Sequence, residues 1–572
     1  LSAILGNRVV IDNKDSVNNY RIEKAIRNKL EVDKNVNLDD ATTPYNRLEY
    51  LSSWVKVNSG VNMTSNSANK VAIFQGNTER EAGSKLSAPK ADDVQVLNNG
   101  NITLTGKNSA GLATSFGTVT NAGNISSTGE NGVGIYAADS SVAKNTGSIE
   151  VGTKGTAIFA ENDLKIGGNS TAISNNKDIN VTNTGTIKAK ANSTGAYGIY
   201  VKNDKTNYAN ATSTVNHSGN IDLSNAKSSV GIYTENSALT SSGNVSVGKN
   251  GVGISAKNSD VDVTAGTYNI NKSIAFKITD LGSKTFKGNA GTINLGDSSI
   301  AYYVKNSNIT PSNFIDKLTV NSTGKYTYLY AEDSTVNYEN QKTINSDGSI
   351  FIYGKNSDIT LEGKADISSN NKKVTGIFSE NTIAGKKIIN KGKINLLGTG
   401  SLGIYAEGNV NIINNGKITV GNTTDPNNAG VGIYSPNGNI ENYGEVVAGN
   451  KSAGIYGSNI NLKANSKVSA GDEGTAVYAA GNNINILSGV QVTAGKKATG
   501  IYGKSVSLDA NSKLNVGEGS TAVYSRGGTV EFKNGSQITT GNNDSTVLYY
   551  DGNNGNIINN TDKLNIGNNS YG

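Results

Sequence analysis

The residues able to do chemistry are few. Asp260 and Asp262 stand two apart and fall on one face of any strand that holds them, while Asp39-Asp40 and Asp92-Asp93 are adjacent. Paired carboxylates serve polysaccharide-cleaving enzymes as acid and base, often beside Ca²⁺ or a basic residue. No third acid or positioned Arg accompanies any of these pairs. A β-helix lyase or hydrolase built on Asp260 and Asp262 is therefore the rival expectation, and no catalytic residue is assigned. One His (His217) and no Cys leave out disulfides, thiolate metal sites and Cys nucleophiles, and argue against His-based catalysis. Phosphate loops and glycine-rich Ca²⁺ nonapeptides are absent, so neither a cofactor nor a metal is expected.

Residue types suited to recognition gather near the N-terminus. Trp54 is the only Trp, and Arg21, Arg27 and Arg47 are three of the six Arg. Trp, Tyr and Arg dominate interface hot spots. If the segment is helical, Arg47, Tyr50 and Trp54 share one side, being three and four residues apart. These five residues, Trp54, Arg47, Tyr50, Arg21 and Arg27, are the candidate binding set. Whether Trp54 meets a ligand or packs its own segment stays open.

The elements that must hold them follow from composition and repetition. Of 572 residues 68 are Gly and only 5 Pro, with 35% apolar. That is too polar for several thick cores, yet too regular in Ile, Val and Tyr for disorder. The net charge of +6 is dominated by scattered Lys rather than an Arg-rich stripe, so no nucleic-acid partner is expected. No apolar run is long enough for a membrane helix.

Gly-Ile-Tyr recurs at Gly134-Ile135-Tyr136, Gly198-Ile199-Tyr200, Gly231-Ile232-Tyr233, Gly403-Ile404-Tyr405, Gly432-Ile433-Tyr434, Gly454-Ile455-Tyr456 and Gly500-Ile501-Tyr502, with variants such as Ala157-Ile158-Phe159 and Ala522-Val523-Tyr524 between. Each is followed by an alternating stretch, then Asn-x-Gly-x-Ile/Val (Asn121–Ile125, Asn414–Ile418), then a Gly-rich turn. A unit of about 22 residues in three short strands cannot bury its own apolar face and must stack on its neighbours. The expected fold is all-β, a right-handed parallel β-helix (β-solenoid) of about twenty coils, a rod on the order of 95 Å at the usual strand spacing. Ile135, Ile199, Ile232, Ile404 and Ile433 are expected to stack inward, the Tyr residues to form an outward ladder, and Asn to form amide ladders at corners. An aromatic row can be a sugar track. Its presence in every coil favours simple cover of the strand surface.

Residues 1–13 read as a first partial coil, 14–57 as an insertion and 58–572 as the continuous β-helix. The insertion is expected to be helical: Ser16 caps a helix with Ile22, Ala25, Ile26 and Leu30 on one face, and Thr43-Pro44 starts a second with Tyr45, Leu48, Leu51 and Val55 in a stripe. Ser59–Thr64 aligns with Ser488–Thr493, where the chain rejoins the coil at its third strand.

The repeat Gly-Ile-Tyr-Ala/Ser/Gly, then Asn-x-Gly-x-Ile-x-Val-Gly, without Cys, in a Lys/Asn-rich chain, resembles the passenger domains of large fusobacterial type V autotransporter adhesins, the galactose-inhibitable and arginine-inhibitable (RadD-type) group. The resemblance spans 58–572 and assigns no role to 14–57. It implies an extracellular, monomeric passenger, anchored through an outer-membrane barrel beyond this segment. The chain starts mid-coil at Leu1-Ser2-Ala3 and is expected to be an excised piece lacking its leader and barrel. Implied partners are a host-cell surface glycan or protein receptor, immune receptors included, and other bacterial cells. The leading expectation is thus a non-catalytic adhesin, with the β-helix enzyme and a passive spacer as rivals.

Overall fold

Runs of four to six residues that alternate apolar and polar make strands too short and too one-sided to stand alone, so each finds its partner one repeat away. The computed structural model describes residues 29–39, 47–51, 54–76, 95–115, 117–138, 140–162, 178–204, 211–479, 481 and 483–572. Contacts divide the chain into two units, Leu1–Ser299 with Asn313–Asn321, and Ile300–Ser312 with Ser322–Gly572. Each is a parallel β-solenoid of the right-handed type.

In the first unit a turn consists of a second-sheet strand (Thr118–Asn121), a third-sheet strand (Asn124–Ser127) and an aromatic strand (Val133–Ala138). Each pairs in parallel with its counterparts one turn either way: Thr118–Asn121 with Gln95–Asn98 and Val142–Asn145, Asn124–Ser127 with Asn101–Leu104 and Ser148–Val151. The second unit repeats the plan with Leu402–Glu407, Asn411–Asn414 and Lys417–Val420. In two of its turns the aromatic and second strands run together, as Val431–Asn442 and Ala453–Leu462. Among the described residues, nine strands of the first unit and eleven of the second occupy the aromatic position, matching the number of coils expected.

The core is a set of columns. Ile158, Ile199 and Ile232 are in register, as are Ile404, Ile433 and Ile455, all fully buried. The residue before each Ile is Gly or Ala because it too faces inward: a Cβ on Gly432 would sit 2.5 Å from Val446 Cγ1 and 2.6 Å from the Gly454 carbonyl oxygen. The expected Asn ladder is present and lies inside. Asn98 donates to Asn121 (2.8 Å), Asn121 to Asn145 (2.9 Å) and Asn145 to Asn183 (2.8 Å), all fully buried. The second unit repeats it from Asn390 to Asn414 (2.8 Å) and on to Asn442 (2.7 Å). An amide carries donors and acceptors, so a stack of identical amides satisfies itself without water.

The helical insertion is not what the described part of 14–57 forms. Lys29–Val32, Val36–Asn37, Arg47–Leu51 and Trp54–Val57 are strands. Leu30 pairs with Val55 and Val32 with Val57, and Val55 in turn with Val96. Leu30 and Val55 fitted a helical stripe, but each also belongs to a period-2 pair, Leu30/Val32 and Val55/Val57. Short apolar runs carry both periods, and the edge of Gln95–Asn98 decides for strands: a strand pairs the backbone groups of that edge, which a helix would leave unpaired, and a short helix alone is only marginally stable. Asn62–Ser65 pairs with Asn101–Leu104 in the third sheet, the position expected from the alignment of Ser59–Thr64.

Candidate binding surfaces

Register turns a repeated residue into a surface. In the second unit the rings of Tyr303, Tyr330, Tyr353, Phe378, Tyr405 and Tyr434 stack, and the column continues through Tyr456, Tyr478, Tyr502 and Tyr524 to Tyr549. Successive centroids are 4.4 Å (Tyr478–Tyr502) to 5.3 Å (Tyr303–Tyr330) apart. In the first unit the stack is shorter: Tyr136, Phe159, Tyr200 and Tyr233, followed in register by Ser255 and Lys277.

This geometry limits what the ladder can bind. A sugar stacks on an open aromatic face, and inside the column both faces of each ring are covered by its neighbours. What remains outward is ring edges and hydroxyls, consistent with cover for the strand backbone.

Two residues beyond several of the rings, charged side chains stand in register, as in Glu332, Lys355, Glu380 and Glu407. Glu332 accepts from the Tyr303 hydroxyl and meets Lys305 at 3.3 Å and Lys355 at 3.6 Å. The Tyr303 bond, with those lysines, holds the Glu332 carboxyl below its usual range. Tyr353 donates to Glu380. In the first unit Glu161–Lys202 (3.3 Å) and Glu235–Lys257 (3.0 Å) repeat the arrangement, and Tyr233 donates to Glu235 (2.7 Å). Burial, then the nearby carboxylates, push the Tyr200 hydroxyl up to about 12, with Tyr233, Tyr303 and Tyr353 also raised, burial first.

Free tyrosine ionises near pH 10. A spectrophotometric alkaline titration is therefore expected to show these tyrosines ionising late. The folded state holds protons that the unfolded chain has lost, so stability falls as pH rises from about 10 towards 12. Ionisation of all tyrosines together near pH 10 in the folded protein contradicts the stacked, buried column.

Asp260 and Asp262 do share the outward face of Asp260–Val263. Each carboxylate is tied down: Asp260 by Lys284 Nζ (3.0 Å), Thr285 N (2.9 Å) and Thr285 Oγ1 (3.2 Å), Asp262 by Asn289 Nδ2 (2.7 Å). Burial alone raises the Asp260 pKa, but the Lys284 and Thr285 bonds outweigh it and lower it. Asp39 caps a turn instead, accepting from Asn66 N (2.6 Å) and Ser65 Oγ (2.8 Å). Asp40, Asp92 and Asp93 lie outside the described residues. No cluster of three or more His, Cys, Asp or Glu fit to hold a metal occurs among the described residues.

The candidate recognition residues are distributed differently from the expected helical side. Arg47 and Tyr50 lie on the aromatic-position strand Arg47–Leu51, paired with Val71–Gly76. Trp54 opens the next strand, in the second sheet, between Lys29 and Gln95. Its neighbours Val55 and Val57 are fully buried, so the half-buried indole stands on the outward face. Arg21 and Arg27 lie outside the described residues.

Sequence reasoning did not anticipate His217. Its register partner is Asn183, so the single imidazole occupies a rung of the buried amide ladder. The signal was present: Asn216-His217-Ser218-Gly219-Asn220-Ile221 replaces the Asn of Asn-x-Gly-x-Ile by His.

No family model matches this chain. No curated protein or solved structure matches it either.

Proposed function

We propose that the chain is a non-catalytic binding ectodomain of a bacterial surface adhesin, attaching its cell to host glycans or receptors or to other bacteria. The observation that carries this reading is the columnar surface. Each unit repeats outward residues in register from turn to turn, giving regular, polar faces. The best-placed acid pair, Asp260 and Asp262, is engaged by Lys284, Thr285 and Asn289 rather than left for substrate. Absence of Cys suits passage through a secretion pore, because no disulfide can block threading. Recognition is placed first on Trp54, with Arg47 and Tyr50 on the adjoining strand.

The test is binding of the purified chain to host cells and to a glycan array, with free galactose and free arginine as competitors. Trp54→Ala combined with Arg47→Ala is expected to weaken attachment by at least about tenfold with the β circular-dichroism signal kept. Wild-type attachment by that variant moves the site elsewhere. No binding by the native chain favours a spacer. Release of shortened oligosaccharides from an acidic polysaccharide, abolished by Asp260→Ala with Asp262→Ala, would establish the enzyme instead.

A further inference from the structure

The outward face of the third sheet differs between the two units at one repeat position. In the first unit that position holds Asn62, Asn101 and Asn124 in successive turns, linked by amide bonds of 3.0 and 2.9 Å. The fold is thus satisfied there by neutral, self-complementary side chains. In the second unit the same position runs through Gln341, Asp366, Lys393, Lys417 and Glu445, and its last five turns read Lys467, Gln491, Lys513, Gln537 and Lys563, in register. Lys467, Lys513 and Lys563 are exposed, and none of these three has a carboxylate within salt-bridge distance among the described residues.

The nearby acids are committed to other lysines: Glu445, one turn before Lys467 in the same column, to Lys417 (3.0 Å), and at the flanking corners Asp509 to Lys533 (2.6 Å), Glu473 to Lys451 (3.4 Å) and Glu518 to Lys496 (3.5 Å). Asp562, beside Lys563, is exposed. Like charges stacked directly opposite each other destabilise a sheet. Here a glutamine separates each lysine from the next, which holds three cations in one line at two-turn spacing, on the order of 9.6 Å. Beside them runs a second outward column, Thr493, Asn515 and Thr539, of small hydrogen-bonding groups in the same register. The result, over these five turns, is a straight track with a cation every second turn and small donors and acceptors alongside.

We propose that this track binds a linear acidic polysaccharide with one anionic group per disaccharide, such as a uronate-containing glycan laid along the stacking direction. Two turns match the length of an extended disaccharide, so carboxylates fall on Lys467, Lys513 and Lys563 in turn, while intervening hydroxyls meet Thr493, Asn515 and Thr539. A nucleic-acid strand, with a phosphate at every nucleotide, does not fit that spacing, and the track offers no open aromatic face for bases. This inference names a ligand class within the adhesin reading and rests on that reading only for its biological use.

The test is binding of hyaluronan to the full chain at low salt, with neutral dextran and oligodeoxythymidylate as comparators. Hyaluronan is expected to bind, dextran not, and added salt to weaken the complex. Lys467→Gln with Lys513→Gln and Lys563→Gln should weaken it about tenfold. Gln491→Lys with Lys513→Gln keeps the net charge but breaks the spacing, and should weaken it too. Native affinity in either variant, with the circular-dichroism signal unchanged, overturns the proposal. So does dextran binding as tightly, or oligodeoxythymidylate competing as well as hyaluronan. Cell attachment measured on the same variants separates the two readings: hyaluronan binding without any attachment sinks the adhesin reading alone, and attachment without hyaluronan binding sinks the track alone.

Discussion

Gly416→Ala is expected to cost about 3 kcal/mol or more. Gly416 is the third residue of Asn414-Asn415-Gly416, where the chain turns from the second sheet to the third. A Cβ there would lie 2.0 Å from the Gly392 carbonyl oxygen of the previous turn. That same oxygen accepts from Lys417 N (3.0 Å), and Gly416 N donates to Asn390 O (3.0 Å). The clash is with backbone, so no side-chain rotation relieves it. The two turns must part, and two backbone bonds and the Asn390–Asn414 amide bond are strained together. The stiffening of the unfolded chain that usually favours Gly→Ala, about 0.4–1 kcal/mol, is outweighed. Gly363→Ala is the control: its corner has nothing within 4 Å of the added carbon, and its effect should stay within about 0.5 kcal/mol. Amide hydrogen exchange in Lys393–Leu396 and Lys417–Val420 checks both, since a stacked-repeat chain opens locally and a single global unfolding energy describes it poorly. Equal effects of the two substitutions would contradict the close approach of corners.

Acidification should destabilise the first unit through His217. Burial lowers its pKa to about 4. Asn183 Nδ2 lies 3.1 Å from His217 Nδ1, and His217 Nε2 lies 3.3 Å from the Asn244 carbonyl oxygen. This network assigns the neutral ring with its proton on Nε2, because Nδ1 must accept. Protonation would turn Nδ1 into a donor facing the Asn183 NH₂. Flipping Asn183 to accommodate it would remove the oxygen that accepts from Asn145 at 2.8 Å, so the disturbance passes along the ladder. The unfolded chain takes up its proton near pH 6.5, the native turn only near 4, so stability falls as pH drops through that interval, by about 3 kcal/mol in all. His217→Asn removes this dependence by restoring the amide of the neighbouring rungs. Because His217 is the only His, its imidazole C–H resonance needs no assignment: it should titrate near 4, and a midpoint near 6.5 in the folded protein would contradict the buried rung.

Most of the fold is legible because repetition averages out local ambiguity. One Gly-Ile-Tyr says little; seven of them, with Asn-x-Gly-x-Ile between, leave only stacking able to bury Ile135, Ile199 and Ile404. The reading failed where the repeat is masked by sequence drift. Around Leu30, Leu48 and Val55 no Gly-Ile-Tyr survives, so local helical spacing stood unopposed. The pairing edge that overrode it, Val96 beside Val55, is a tertiary partner about forty residues away. What went with that helix is the shared side that grouped Arg47, Tyr50 and Trp54: Arg47 and Trp54 belong to two sheets, on adjoining strands of the first described turns. The column of Lys467, Lys513 and Lys563 escaped notice for a different reason. Scattered lysine in a lysine-rich chain carries no signal until register aligns it.

That register is the claim on which every surface and ladder depends, and paired spin labels in the second unit measure it directly. Thr419, Asn515 and Asn565 occupy one outward column, Asn515 four turns beyond Thr419 and Asn565 six. Electron–electron dipolar distances between backbone-proximal labels should centre near ~19 Å for Thr419–Asn515 and ~29 Å for Thr419–Asn565, growing linearly with the number of turns. Distances that do not increase with turn number, or that scatter as in independent globules, would contradict the stacked solenoid and the functional reading built on it.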